Sequence, residues 1–211
     1  NQLCTDDFAG HLAHNCNLSL KAVMGIAGLG IIQKYAGSTD KYEHYIAIAR
    51  RMAEGWVSRA MNPDGSFRLA FDREGSWSMK YNMVWDKLFG TNLFPAWVYA
   101  AENAANLRHR ASFGLPLDVR SMYTKSDWLV WTVTLAPDRE DFETFVGDLW
   151  RAYNVMPERV PLTDWYWANS SNQVVYHRSP ADGHPVGFRN RTVIGGVFIK
   201  LLEYTGKMIV R

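Results

Sequence analysis

The chain has 211 residues, 47% of them hydrophobic and 14% aromatic with nine Trp, and a net charge of +2 from 23 basic and 21 acidic side chains. That length supports one well-buried domain, and residues 1–211 are read as one. No basic stripe is present, which argues against a nucleic-acid partner. No apolar run reaches the ~20 residues that cross a bilayer, which argues against a membrane partner.

Cys4 and Cys16 are too few for a disulfide framework; they either pair or stay as free thiols. The chain opens on Asn1 rather than Met, so it is expected to be a processed product or a piece of a longer chain.

The first predicted helix runs from Asn17, its candidate cap, to Tyr35, and is apolar almost all round. Gly25, Gly28 and Gly30 lie inside it; no strand precedes them, so they are assigned to close packing rather than to a nucleotide loop. No cofactor is expected. Gly37 ends this helix and Thr39 caps the next, Asp40 to Met61, whose apolar residues follow one stripe. Asn62 to Gly75 is a long connection, with a short strand expected over Ser66–Phe71. Ser76 is expected to cap a third, largely buried helix that ends at Gly90. A fourth runs from Pro95 to about Arg110.

Tyr123 to Ala136 is the stretch on which the rest leans. Trp128, Leu129, Val130, Trp131 and Val133 leave no polar face, so a buried helix is predicted, with Thr124 and Asp127 spaced as a capping box. A sixth helix starts at Pro137-Asp138 and is amphipathic; Gly195-Gly196 lie inside a seventh, apolar one over Val193–Leu202.

Buried helices thus alternate with half-wet ones, and short connections alternate with long ones. The pattern predicts an all-α (α/α) toroid: about seven helices of a six-hairpin barrel, with a short β-hairpin in a long loop. All long connections then feed the N-termini of the inner helices.

At that face the sequence places Asp6, Asp7, Asp127 and Asp164 as candidate acids and bases. His14, Trp77, Lys125, Trp128, Trp165, Tyr166 and Arg191 are candidate substrate contacts. Carboxylates beside aromatic rings suit glycoside cleavage, in which one acid protonates the leaving oxygen and another activates water or attacks. His11 and His14 alone are a weak metal pattern, and no metal is assigned. No Gly-x-Ser-x-Gly elbow is present.

Four motifs carry a resemblance: Asn1-Gln2-Leu3-Cys4-Thr5-Asp6-Asp7-Phe8; Trp77-Ser78-Met79-Lys80-Tyr81-Asn82 with Trp85-Asp86-Lys87-Leu88; Tyr123-Thr124-Lys125-Ser126-Asp127-Trp128; and Val160-Pro161-Leu162-Thr163-Asp164-Trp165-Tyr166. Together they resemble the C-terminal region of the fungal and bacterial glutaminase A family. The resemblance implies a six-hairpin glycosidase-like barrel and a β-rich N-terminal part of the same protein as partner. It also implies secretion, or a periplasmic location, and hydrolysis of glutamine to glutamate. The alternatives are a glycoside hydrolase with two carboxylates, and a module that binds a carbohydrate or peptide without turnover.

Overall fold

The computed structural model describes residues 9–157 and 159–210. Helix α1 spans Cys16–Tyr35 and α2 spans Thr39–Ala60, joined across Gly37, whose φ of 80° suits a glycine after a helix end. Asn15, not Asn17, caps α1: its carboxamide oxygen accepts the Leu18 amide at 2.7 Å. Asn17 lies inside the first turn, buried, and binds Asn82 instead.

Leu20, Val23, Met24 and Ala27 of α1 and Ala49, Ala53 and Trp56 of α2 are buried in one shared core. Gly30 does serve packing, since a Cβ there would lie 3.3 Å from the Tyr42 carbonyl oxygen, but Gly25 and Gly28 face open space. Leu29, Ile32 and Tyr35 are exposed, so α1 is not buried all round. Among the described residues α1 is the one helix long and apolar enough to cross a membrane, where the sequence reading expected none. Its buried face packs on α2, which is also what a core helix does.

The third predicted helix begins late. A 3-10 turn over Tyr81–Met83 leads into α3, Val84–Phe89, and residues 76–80 are not helical. Lys80 explains this. Its side chain is fully buried, and the ammonium donates to the carbonyls of Phe67 at 3.0 Å and Ser78 at 2.8 Å. A helix over 76–80 would turn the Ser78 carbonyl along its own axis. Ser76 caps nothing; its hydroxyl accepts the Leu69 amide and donates to the Arg73 carbonyl. The strand expected over Ser66–Phe71 reduces to single bridges, Met61 with Phe67 and Asn15 with Ala70.

Helix α4 spans Ala96–His109. Strand β1, Tyr123–Lys125, then enters α5, Ser126–Val133, so Thr124 sits in a strand and Lys125 holds the cap position. Helix α6, Arg139–Val155, starts just after the predicted Pro137-Asp138, and Asp138 is its cap rather than part of its first turn, accepting the Asp141 amide at 2.9 Å. Strand β2, Trp165–Trp167, pairs antiparallel with β1, placing Lys125 opposite Trp165. A short hairpin, β3 (His177–Arg178) with β4 (Pro185–Val186), occupies the longest connection.

The last apolar segment is a 3-10 stretch, Thr192–Phe198, followed by α7, Ile199–Thr205. It is not an inner helix: Phe198, Leu201, Leu202 and Tyr204 are exposed and Ile199 alone is buried in α7. The molecule is built from helices with only two short two-stranded ladders among the described residues, in keeping with an all-α toroid in general form.

Candidate functional site

Three distant segments meet at the N-terminus of α5. The Ser126 amide donates to the Asp164 carbonyl at 3.0 Å, which extends the β1–β2 pairing to the start of the helix. On the other side the Asn190 amide donates to the Leu162 carbonyl, and the Thr163 hydroxyl donates to the Phe188 carbonyl. Asn190 takes a left-handed conformation, φ 52°, that turns the chain before Arg191. The outcome is a cluster of Lys125, Asp127, Asp164 and Arg191 drawn from two loops and a helix start.

The Lys125 ammonium pairs with Asp164 Oδ2, and Arg191 Nη1 lies 3.4 Å from the same oxygen. Both Lys125 and Asp164 are buried. Phe188 stands between the cations, its ring centroid 4.7 Å from Lys125 Nζ and 4.1 Å from the Arg191 guanidinium carbon. The Trp128 indole stacks on Tyr81 at 4.3 Å and 4°.

A cleft of about 400 Å³ opens here, lined by Lys125, Asp127, Trp128, Trp131, Phe188 and Arg191 and by the 192–196 backbone. Gly196 closes one wall: a Cβ there would lie 2.9 Å from both Asp127 Cβ and Trp131 Nε1. The Trp131 indole donates to the Gly196 carbonyl at 3.2 Å.

Asp127 is the carboxyl that lines the cleft. Burial pushes its pKa above the ordinary aspartate range, against the pull of Lys125, of the amides of residues 127 and 128, and of Arg191. Among the described residues its Oδ1 has no hydrogen-bond partner, nor has Asp164 Oδ1. Buried polar atoms are rarely left so, and each such atom calls for an explanation, of which a catalytic role is one. Beneath Asp127, the Tyr153 hydroxyl of α6 neighbours the Ser126 hydroxyl without closing a well-aligned hydrogen bond; burial pushes the Tyr153 phenol up to about 12.

Among the residues singled out from sequence, Lys125, Asp127, Trp128 and Arg191 share the cleft. Asp164 stands behind it, fully buried on the two cations. Trp165 is one shell back, its ring 5.0 Å from Phe188 and 5.5 Å from Tyr123. The other three are engaged elsewhere. Tyr166 is a core residue whose hydroxyl donates to the Phe113 carbonyl at 2.9 Å. Trp77 stacks flat on His109 at 4.0 Å, and His14 pairs with Asp72 at 2.8 Å on the surface. Asp6 and Asp7 lie outside the described residues. Cys16 is a free, buried thiol whose pKa is pushed up to about 11 by burial. Among the described residues no His, Cys, Asp and Glu side chains are grouped to hold a metal.

Phe188, Trp131 and Gly196 were not anticipated. Trp131 was the most accessible of these, because it stands four residues after Asp127 on the same helix face.

A model of the glutaminase A six helical-hairpin domain matches residues 1–201. Glutaminase A of Aspergillus oryzae is 31% identical over 210 residues, which cover 96% of this chain and 28% of that protein. A probable glutaminase of Arthroderma benhamiae is 30% identical over 228 residues, covering 94% of this chain and 25% of that protein. The chain thus spans little more than a quarter of the length of these relatives. The match of the domain model along nearly the whole chain makes this protein a member of the glutaminase A family.

Proposed function

We propose that the cleft is the catalytic site of a glutaminase A-like amide hydrolase, with Asp127 as its proton-transfer residue. The finer architecture belongs to the same proposal: these helices are part of a closed (α/α)6 barrel. One observation carries the reading, a carboxyl of raised pKa that shares a cleft with two cations.

Ionised Asp127 takes a proton from water as the water oxygen attacks the carbonyl carbon of the side-chain amide. The carbonyl π electrons move to oxygen, and Lys125 and Arg191 stabilise the charge that forms there. The C–N bond then breaks, Asp127 returns the proton to the leaving nitrogen, and the products are a carboxylic acid and ammonia. A raised pKa suits both halves, since the group is a stronger base than an ordinary aspartate and holds its proton until nitrogen needs it. Asp164 holds Lys125 in place through their ion pair.

Glycoside cleavage requires two carboxyls flanking one bond. With Asp164 committed to Lys125 and Arg191 and buried, the described cleft offers one, which favours the amide.

Ammonia release from L-glutamine by the natural gene product, measured across pH, tests this. Asp127→Asn is expected to lower kcat by about 100-fold or more and to abolish the limb of the pH profile that titrates above the ordinary aspartate range. Undiminished turnover by this variant, or turnover of glycosides alone, would overturn the assignment.

A further inference from the structure

Helix α7 lies with its charged side against the protein and its apolar side to solvent. Glu203 pairs with Lys87 of α3 at 3.2 Å and with Lys200, whose ammonium stands 5.0 Å from the Phe142 ring of α6. Leu201 and Leu202 come three and four residues after Phe198, the spacing of one helix face, and all three are exposed, as is Tyr204 at 88%. A helix at a finished surface does the reverse, turning its apolar stripe to the core and its charges to water.

That outward side borders an apolar cleft of about 390 Å³, lined chiefly by Trp85, Trp131, Phe198, Leu201, Leu202 and the Gly195–Gly196 backbone. Among the described residues no charged side chain lines it, so it suits an apolar occupant rather than a polar small molecule. Trp131 and Gly195–Gly196 also line the cleft that holds Asp127, and the two clefts share this wall.

The same condition recurs on the first helix of the series. Leu29, Ile32 and Tyr35 of α1, three residues apart, are exposed. An apolar helix stripe calls for a further element to bury it. This chain spans little more than a quarter of the length of its relatives. The family's domain is named for six helical hairpins, whereas the described residues hold seven helices.

We infer that a helical hairpin of the same protein, outside these 211 residues, lays an apolar stripe on Phe198, Leu201 and Leu202 and braces the Gly195–Gly196 wall from behind. The inference rests on the closed-barrel part of the function proposed above and adds a dependence to it: Asp127, which packs on Gly196, keeps its place while the far side of that wall is covered.

Hydroxyl-radical footprinting of the natural gene product, read by mass spectrometry, decides it. Phe198, Leu201 and Leu202 should lose their labelling, down to the level of the core residues Trp56 and Phe67. Labelling nearer to that of the unfolded protein overturns the inference. So does protection that disappears on dilution, because a second copy then supplies the cover. Leu201→Asp sets a charge in the contact: Phe198 should become labelled, and kcat for ammonia release should fall by about ten-fold or more, the scale of a displaced catalytic group. A folded variant in which Phe198 stays covered overturns the docking, and one in which Phe198 is uncovered at parent kcat overturns the brace. Should that variant fail to fold, the footprint of the unaltered protein decides alone. Footprinting needs no activity, so the two readings fail separately. A covered face with full turnover by Asp127→Asn leaves the docking and removes the role of Asp127; a labelled face with an inactive Asp127→Asn does the opposite.

Discussion

Two lysines are buried in this molecule beside an acid, and they are treated in opposite ways. Lys80 donates to Phe67 O, Ser78 O and Ser78 Oγ, with Glu102 at 3.8 Å, so its ammonium is surrounded by acceptors. Lys125 pairs with Asp164 at the edge of a cleft, where Asp127 Oδ1 and Asp164 Oδ1 lack partners. The first arrangement is closed and holds three stretches of chain together. The second borders a cleft that a polar ligand can enter. Burial of a charge does not by itself mark a functional site; what separates the two lysines is whether the surrounding polar atoms are already satisfied.

The largest effect should come from breaking the closed site. Lys80→Met leaves the carbonyls of Phe67 and Ser78 buried without a donor and Glu102 without its counter-charge. A loss of about 3–5 kcal/mol is expected, read as a fall in the urea midpoint; a midpoint within error of the parent would erase the contrast. Glu102, whose pKa burial raises to about 7, would then lose the counter-charge of Lys80 and should shift further upward.

A smaller effect is expected at the cleft wall. Gly196→Ala puts a methyl 2.9 Å from Asp127 Cβ and from Trp131 Nε1. Overpacking of this kind costs about 1–3 kcal/mol, and here it also displaces Asp127, so kcat should fall even where the variant stays folded. Parent-like kcat together with parent-like stability would show that the wall is looser than described.

The smallest change has the opposite sign. The folded-state pKa of Asp127 is raised, so the folded chain binds the proton more tightly than the unfolded one. Between the ordinary value of 3.8 and the raised value, stability therefore falls as pH rises. Asp127→Asn removes that loss. The variant should be more stable than its parent at pH 7, with the gain shrinking as pH falls toward 4. A destabilised variant at pH 7 would show that Asp127 is satisfied in the way Lys80 is.

Much of this was legible from local sequence. Gly37, Gly90 and Asp138 stop or start helices because the relevant hydrogen bonds and dihedrals lie within a few residues of them. Lys125, Asp127 and Arg191, all picked out from sequence, line one cleft. Less local facts were not legible. The late start of α3 depends on where Lys80 finds carbonyls, one of them 13 residues away. The exposure of α7 depends on what stands opposite Leu201 and Tyr204, which an apolar run does not encode. Tyr166 looked like Trp165 in sequence, yet alternation along β2 turns it into the core and onto Phe113.

The ladder between Tyr123–Lys125 and Trp165–Trp167 also orders events in time. Helices α1 and α2 meet across a three-residue turn, whereas the cleft exists only after segments about 40 residues apart have joined. Closing long loops is slow relative to forming neighbouring helices. During refolding the ladder is therefore expected to close after the α1–α2 hairpin, and a molecule caught between the two would show helical circular dichroism with its cleft still unformed.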